Sequence, residues 1–121
     1  MRIQKPRKKL YYSIRQVCDM VGISDHILKN WEKKFPQIQP IRNRGGNRYY
    51  VEKDLEMLFY IKKLFVEEKL NEEQIRKRLQ QFRQQKDGNE EMRLKTILAE
   101  IRLEIQEILE LLQKDTSTKG E

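Results

Sequence analysis

The stretch Tyr12-Ser13-Ile14-Arg15-Gln16-Val17-Cys18-Asp19-Met20-Val21-Gly22-Ile23-Ser24-Asp25-His26-Ile27-Leu28-Lys29-Asn30-Trp31 decides the fold. Ser13 followed by Gln16 is a capping box, and Tyr12 with Val17 is a hydrophobic staple, so a helix begins here. Gly22 ends it after about two turns, and Ser24 caps a second helix that runs through Asp25, Leu28, Trp31 and Lys34 to Phe35-Pro36. Two short helices that meet at a glycine, with Val17, Cys18, Val21, Ile23, Leu28 and Trp31 as apolar anchors, read as a helix-turn-helix. The outer side of the second helix then carries His26, Lys29, Asn30 and Lys33. Lysine donates to guanine acceptors or to phosphate and asparagine pairs bidentately with adenine, so Lys29 and Asn30 are the candidates for base readout.

Working outward, Pro36 and Pro40 break the helical pattern. Ile41-Arg42-Asn43 and Arg48-Tyr49-Tyr50-Val51 then flank Arg44-Gly45-Gly46-Asn47, which reads as a small hairpin. Its glycines let backbone approach a phosphate closely, its guanidinium forks grip phosphate oxygens, and tyrosine hydroxyls add neutral donors. The hairpin is therefore expected to be a DNA-contacting wing. One of Tyr49 and Tyr50 should face the core, because alternate strand residues point opposite ways. Arg48 is placed to pair with Glu32 and brace the wing against the second helix. From about Glu52, Leu55, Leu58, Ile61 and Phe65 recur at helical spacing, and Asn71 with Gln74 caps a further helix striped by Ile75, Leu79 and Phe82. These two helices should cover the first pair. After a break at Asp87-Gly88-Asn89, Leu94, Leu98, Ile101, Ile105, Ile108 and Leu112 form a heptad seam. Ile97, Leu109 and Leu111 flank it and suggest packing on a partner's head as well. The flanking charges, Lys95, Arg102 and Glu104 among them, leave parallel and antiparallel pairing open.

The fold class that follows is mainly α: a winged helix-turn-helix with a small β-hairpin wing, then a long C-terminal coiled-coil helix. The expected divisions are a flexible basic arm at 1–10, a winged domain at 11–85, a dimerisation helix at 89–113 and a disordered tail at 114–121. Within 121 residues, 37% hydrophobic and 37% charged, the core must be modest. Residues 1–50 hold 12 Lys or Arg against 3 Asp or Glu, 51–86 hold 9 against 7, and 87–121 hold 5 against 9. A basic front on an acidic tail makes the front half the one that meets a polyanion. A single cysteine, Cys18, and a single histidine, His26, supply no disulfide, no zinc set and no catalytic triad. No enzyme, metal or cofactor is expected, and Cys18 is expected to be a core residue. No apolar run suits a membrane span or a signal peptide, so a cytoplasmic protein is expected.

Tyr12-Ser13-Ile14 to Val17, Gly22-Ile23-Ser24, Leu28-Lys29-Asn30-Trp31-Glu32 and Arg42-Asn43-Arg44-Gly45-Gly46-Asn47-Arg48-Tyr49-Tyr50 together resemble the N-terminal domain of MerR-family transcriptional regulators, over about residues 11 to 82. The chain carries Lys29-Asn30 where that family usually has Arg-Tyr, and Val51 where it has Ser or Thr as a helix cap. The resemblance implies a homodimer, joined by an antiparallel pair of C-terminal helices, that binds a palindromic promoter site. It also implies distortion of the promoter spacer so that RNA polymerase, an implied partner, can engage. Shape readout of this kind rests on deforming the central base pairs. The expected DNA-contacting set is Ser13, Ser24, His26, Lys29, Asn30, Lys33, Arg42, Arg44, Gly45, Gly46, Asn47, Arg48 and Tyr49, and no effector domain is expected. The alternative is an excisionase-like or nucleoid-type architectural DNA bender with the same head.

Overall fold

The computed structural model describes residues 10–84 and 90–119, of which 83, 84 and 115–119 are described as backbone alone. The expected basic arm, apart from Leu10, the break at Asp87-Gly88-Asn89 and the last two residues of the expected tail lie outside the described residues. The element order is β1 (Tyr12–Ser13), α1 (Ile14–Val21), α2 (Asp25–Lys34), β2 (Ile41–Arg42), β3 (Arg48–Tyr50), α3 (Glu52–Val66), α4 (Glu72–Gln84) and α5 (Glu90–Lys119).

Local chemistry sets the boundaries. The Ser13 hydroxyl accepts from the Gln16 amide at 3.3 Å while Gln16 Oε1 accepts from the Ser13 amide at 3.0 Å, so α1 starts with both halves of its box. It stops at Gly22, which is left-handed at φ 79° and donates its amide to the Cys18 carbonyl. The Ser24 hydroxyl accepts from the Ile27 amide at 3.1 Å and opens α2. Asn71 and Gln74 exchange bonds of 2.9 and 3.0 Å at the head of α4. At α3 the cap residue is Val51, which has no hydroxyl to offer; Asp54 supplies a cap contact instead, its carboxylate accepting from the Val51 amide at 3.1 Å. Burial pushes the Asp54 carboxyl above its ordinary range, and the Val51 and Gln39 backbone bonds oppose that rise.

The wing is larger than a two-stranded hairpin. Tyr12 and Ser13, just ahead of α1, add a third strand, giving an antiparallel sheet in the order β1-β3-β2. Tyr12 pairs with Tyr50 and Ser13 with Tyr49, while Ile41 pairs with Tyr49 and Arg42 with Arg48. The staple residue Tyr12 is thus also a strand residue, and it roots the wing beside the start of α1. Tyr50 is fully buried and Tyr49 is half-buried, as strand alternation requires.

Val17, Val21, Leu28, Phe35, Tyr50, Leu55, Leu58, Ile61, Ile75 and Leu79 form one core. Trp31 stacks on Phe65 at 5.7 Å, fixing α2 to α3, and Tyr60 stacks on Phe82 at 4.8 Å, fixing α3 to α4. Lys62 reaches across to the helix-turn-helix and donates its ammonium to the Val21 carbonyl at 2.9 Å and the Gly22 carbonyl at 3.5 Å. These are terminal carbonyls of α1, which a cation satisfies well.

α5 departs most from expectation. Its 30 residues, about 45 Å by helix rise, exceed the expected span, and the backbone stays helical to Lys119 where a disordered tail was expected from 114. Once a long helix exists, each added residue gains a hydrogen bond without a new nucleation cost. Its first half also packs on the chain's own head, against α3 and α1. Met92, Thr96 and Ala99 are buried and Leu103 is partly buried, a stripe spaced like the seam but on the opposite side. The cover of α1 therefore comes from α3 and α5, where the sequence pattern points to α3 and α4. Lys63 grips Glu91 at 2.6 Å beside this junction; that bond raises the lysine pKa and lowers the carboxyl pKa. The seam residues Leu94, Leu98, Ile101, Ile105, Ile108 and Leu112 remain 47% to 65% exposed.

A Cβ on Gly22 would sit 2.9 Å from Lys62 Nζ in a backbone conformation that L residues avoid. Gly22→Ala is expected to lower stability by about 1–2 kcal/mol in chemical denaturation.

Candidate nucleic-acid interface

With Leu28, Trp31 and Phe35 buried, α2 must present the opposite side to solvent, and His26, Lys29, Asn30 and Lys33 are all exposed there. Their spacing of three and four places them in one row. Lys29 forms an i,i+4 pair with Asp25 at 3.4 Å, with both side chains about half exposed. Such a surface pair is weak, so a phosphate or a base edge can displace the carboxylate.

The wing tip is organised by one side chain. Asn43 Oδ1 accepts from the Gly45 amide at 2.9 Å and from the Asn47 amide at 3.0 Å. The Asn43 amide donates to the Asn47 carbonyl, and the Gly46 amide donates to the Asn43 carbonyl. Gly46 is left-handed at φ 81° with open space where a Cβ would lie, so its requirement is conformational. The tip residues Arg44, Gly45, Gly46 and Asn47 are exposed, as is Arg42.

Glu32 joins helix to wing. Its Oε2 accepts from Arg48 Nη1 at 2.6 Å and its Oε1 accepts from the Tyr50 hydroxyl. The Glu32 side chain is 10% exposed and that of Arg48 25%, so this pair is shielded from salt more than a surface pair. Burial, then the bond to Glu32, pushes the Tyr50 hydroxyl well above the ordinary tyrosine range. Arg48 is thus a bracing residue as well as a candidate phosphate donor.

These elements enclose a groove of about 510 Å³ between the start of α1, α2 and the wing. Of the expected DNA-contacting residues, Ser13, Lys29, Arg42, Gly46, Asn47, Arg48 and Tyr49 line it together. Lys33 lies around the same edge, in a second concavity that it shares with Lys29, Arg42 and Arg48. Ser24, His26, Asn30, Arg44 and Gly45 are not lining residues; they stand exposed on α2 and at the wing tip. The hydroxyls of Ser13 and Ser24 are engaged as helix caps. Among the described residues no cluster of three or more His, Cys, Asp or Glu could hold a metal, and no helix is long and apolar enough to cross a membrane. Burial, then Asp25 and Asp19, raises the Cys18 thiol pKa, which suits a packed residue more than a nucleophile.

Two residues on this surface stand outside the expected DNA-contacting set. Arg15 lines the groove; its signal was a basic residue in the first turn of α1, off the Val17–Val21 face. Asn43 builds the tip, and the run Asn43-Arg44-Gly45-Gly46-Asn47 carries the signature of a side-chain-nucleated turn.

Residues 12–81 match the family described as MerR HTH family regulatory protein. A comparison with curated proteins finds no match. Among solved structures, the chain resembles HiNmlR, described as a MerR family regulator lacking the sensor domain, bound to promoter DNA. The TM-score is 0.56 at 23% identity, over 87% of this chain and 78% of that one.

The Tyr50 hydroxyl, with its pKa raised on folding, contributes stability that is complete below the ordinary tyrosine value near 10 and is lost as pH rises above it. Thermal melts from pH 8 to 11 should show a loss of stability above about pH 10. Tyr50→Phe should cost about 1–3 kcal/mol at pH 8 and reduce that alkaline loss.

Proposed function

The chain belongs to the MerR HTH family of regulatory proteins, and from that premise we propose that it is a non-enzymatic transcriptional regulator that binds double-stranded DNA sequence-specifically. The observation that carries this is the convergence of Lys29, Arg42, Arg48 and Asn47 from two separate elements on one groove. α2 enters the major groove, with Lys29 and Asn30 toward base edges and His26 and Lys33 toward the groove walls. The wing, through Arg42, Arg44, Asn47 and the Gly45-Gly46 backbone, grips the flanking phosphates. Ser13, Ser24 and Tyr49 add neutral donors at the margins.

The active species is a homodimer joined through α5. Supporting this is a row of six leucine and isoleucine residues, all exposed, on a helix whose opposite side already packs on its own head. An apolar stripe of that length on a soluble protein marks an interface. A protein that pairs its heads in this way reads an inverted repeat, which favours the promoter regulator over a monomeric DNA bender. Distortion of the promoter spacer, repaid by phosphate contacts from both wings, is the mode of action we assign, with RNA polymerase as the beneficiary.

Fragments selected from random DNA by the purified protein should share an inverted repeat, and a consensus without dyad symmetry would refute the reading. Affinity should fall steeply with added salt, as counterion release from several phosphates requires. Arg44→Ala should weaken binding to every sequence alike, whereas Asn30→Ala should cost about 1–3 kcal/mol at its preferred site and relax sequence choice there. Leu98→Lys with Ile105→Lys should give monomers in sedimentation at unchanged head stability, because neither residue is buried against the head.

A further inference from the structure

α2 carries one large apolar side chain that the fold leaves at the surface. Ile27 is 40% exposed and belongs neither to the core nor to the residues packed against it, while Leu28 and Trp31 are buried. Its amide donates to the Ser24 hydroxyl, which fixes it in the first turn of the helix. By propensity isoleucine is a poor choice for an exposed helix position, since its branched Cβ restricts the side chain there. An isolated apolar residue is ordinary on a protein surface, so the place of this one is what counts. Lys29 lines the groove between α1, α2 and the wing, and Ile27 and Asn30 do not. Spaced three apart, those two are neighbours on α2, and helical geometry sets both roughly opposite Glu32, the residue that holds the wing.

The two side chains offer complementary halves of one reading. Adenine presents N7 and N6 in the major groove, which an asparagine amide matches with two bonds, and its partner thymine presents a C5 methyl, which an aliphatic side chain covers. Along the helix axis Ile27 and Asn30 are about 4.5 Å apart, against about 3.4 Å between successive base pairs, so the two reach the same or adjoining pairs. We propose that Ile27 is a specificity-determining residue that packs on the C5 methyl of a thymine within one step of the adenine read by Asn30. Each half-site then contains an adenine–thymine element at this place. The inference rests on the sequence-specific DNA-binding reading above and adds to it the base feature that α2 selects. Neither contact uses a charged side chain, so this selection is separate from the phosphate grip of the arginines and lysines.

The test uses the full chain and duplexes built on the half-site that it selects from random DNA, with each thymine replaced in turn by deoxyuridine, which removes only the C5 methyl. At one thymine the replacement should weaken binding about fourfold, as burial of a single methyl group implies. That ratio should hold as salt is raised, because an apolar contact releases no counterions. It should vanish in Ile27→Ala, whose new residue is the better helix former, with helical content by circular dichroism equal to the wild type. Specific binding in which no deoxyuridine weakens the wild type overturns the methyl contact and leaves the DNA-binding reading standing. An equal deoxyuridine loss in Ile27→Ala, or a selected half-site without an adenine–thymine pair, does the same. Binding with no preferred sequence overturns both readings.

Discussion

The wing could not act with α2 unless something held the two at a fixed angle, and one carboxylate does so. Glu32 accepts from Arg48 and from Tyr50 at once, and it is nearly buried. The pairing of β3 with β1 and the buried Tyr50 ring root the hairpin in the head, and Glu32 fixes its angle to the recognition side of α2. A hairpin free to swing would lose that freedom on binding, at a cost in affinity for every contact it makes. The same sheet carries the constraint further: Tyr50 pairs with Tyr12, whose buried hydroxyl is bonded to Glu100 on α5. The sheet thereby links the wing to the start of α1 and to α5.

α5 divides its surface between two tasks. The stripe from Met92 to Leu103 packs on the chain's own head, and the seam from Leu94 to Leu112 is left exposed, free for the partner proposed above. Packing the first half on the head fixes the direction in which the second half projects. The seam is thereby presented in one orientation, which lowers the ordering cost of association. The Lys63–Glu91 pair pins the first turn of the helix, although an exposed pair of this kind adds little stability by itself.

Much of this was legible in the sequence because local chemistry decided it. The Ser13–Gln16 and Asn71–Gln74 boxes, the Gly22 stop, the Gly45-Gly46 turn and the Arg48–Glu32 pair all follow from residue types at fixed short spacing or from strand alternation. What stayed hidden was long-range. The strand at Tyr12–Ser13 is two residues long and leaves no periodic trace. The bond from Lys62 to the Val21 carbonyl spans 41 positions of sequence. The inner stripe of α5 uses Thr96 and Ala99, whose burial no hydropathy pattern marks, so the louder leucine seam masked it. In the site, the exposed face of α2 was readable from its buried face, whereas the role of Asn43 as organiser of the wing tip emerged only with the backbone in place.

The central claim is that Glu32 acts through geometry, by fixing the wing to α2, and its most direct test is the DNA affinity of Glu32→Ala at constant salt. Removing a negative charge next to a polyanion should by itself tighten binding. The account expects the opposite, a loss of about tenfold or more from the added ordering cost, in a protein whose helical content is unchanged. Equal or tighter binding by Glu32→Ala would contradict it.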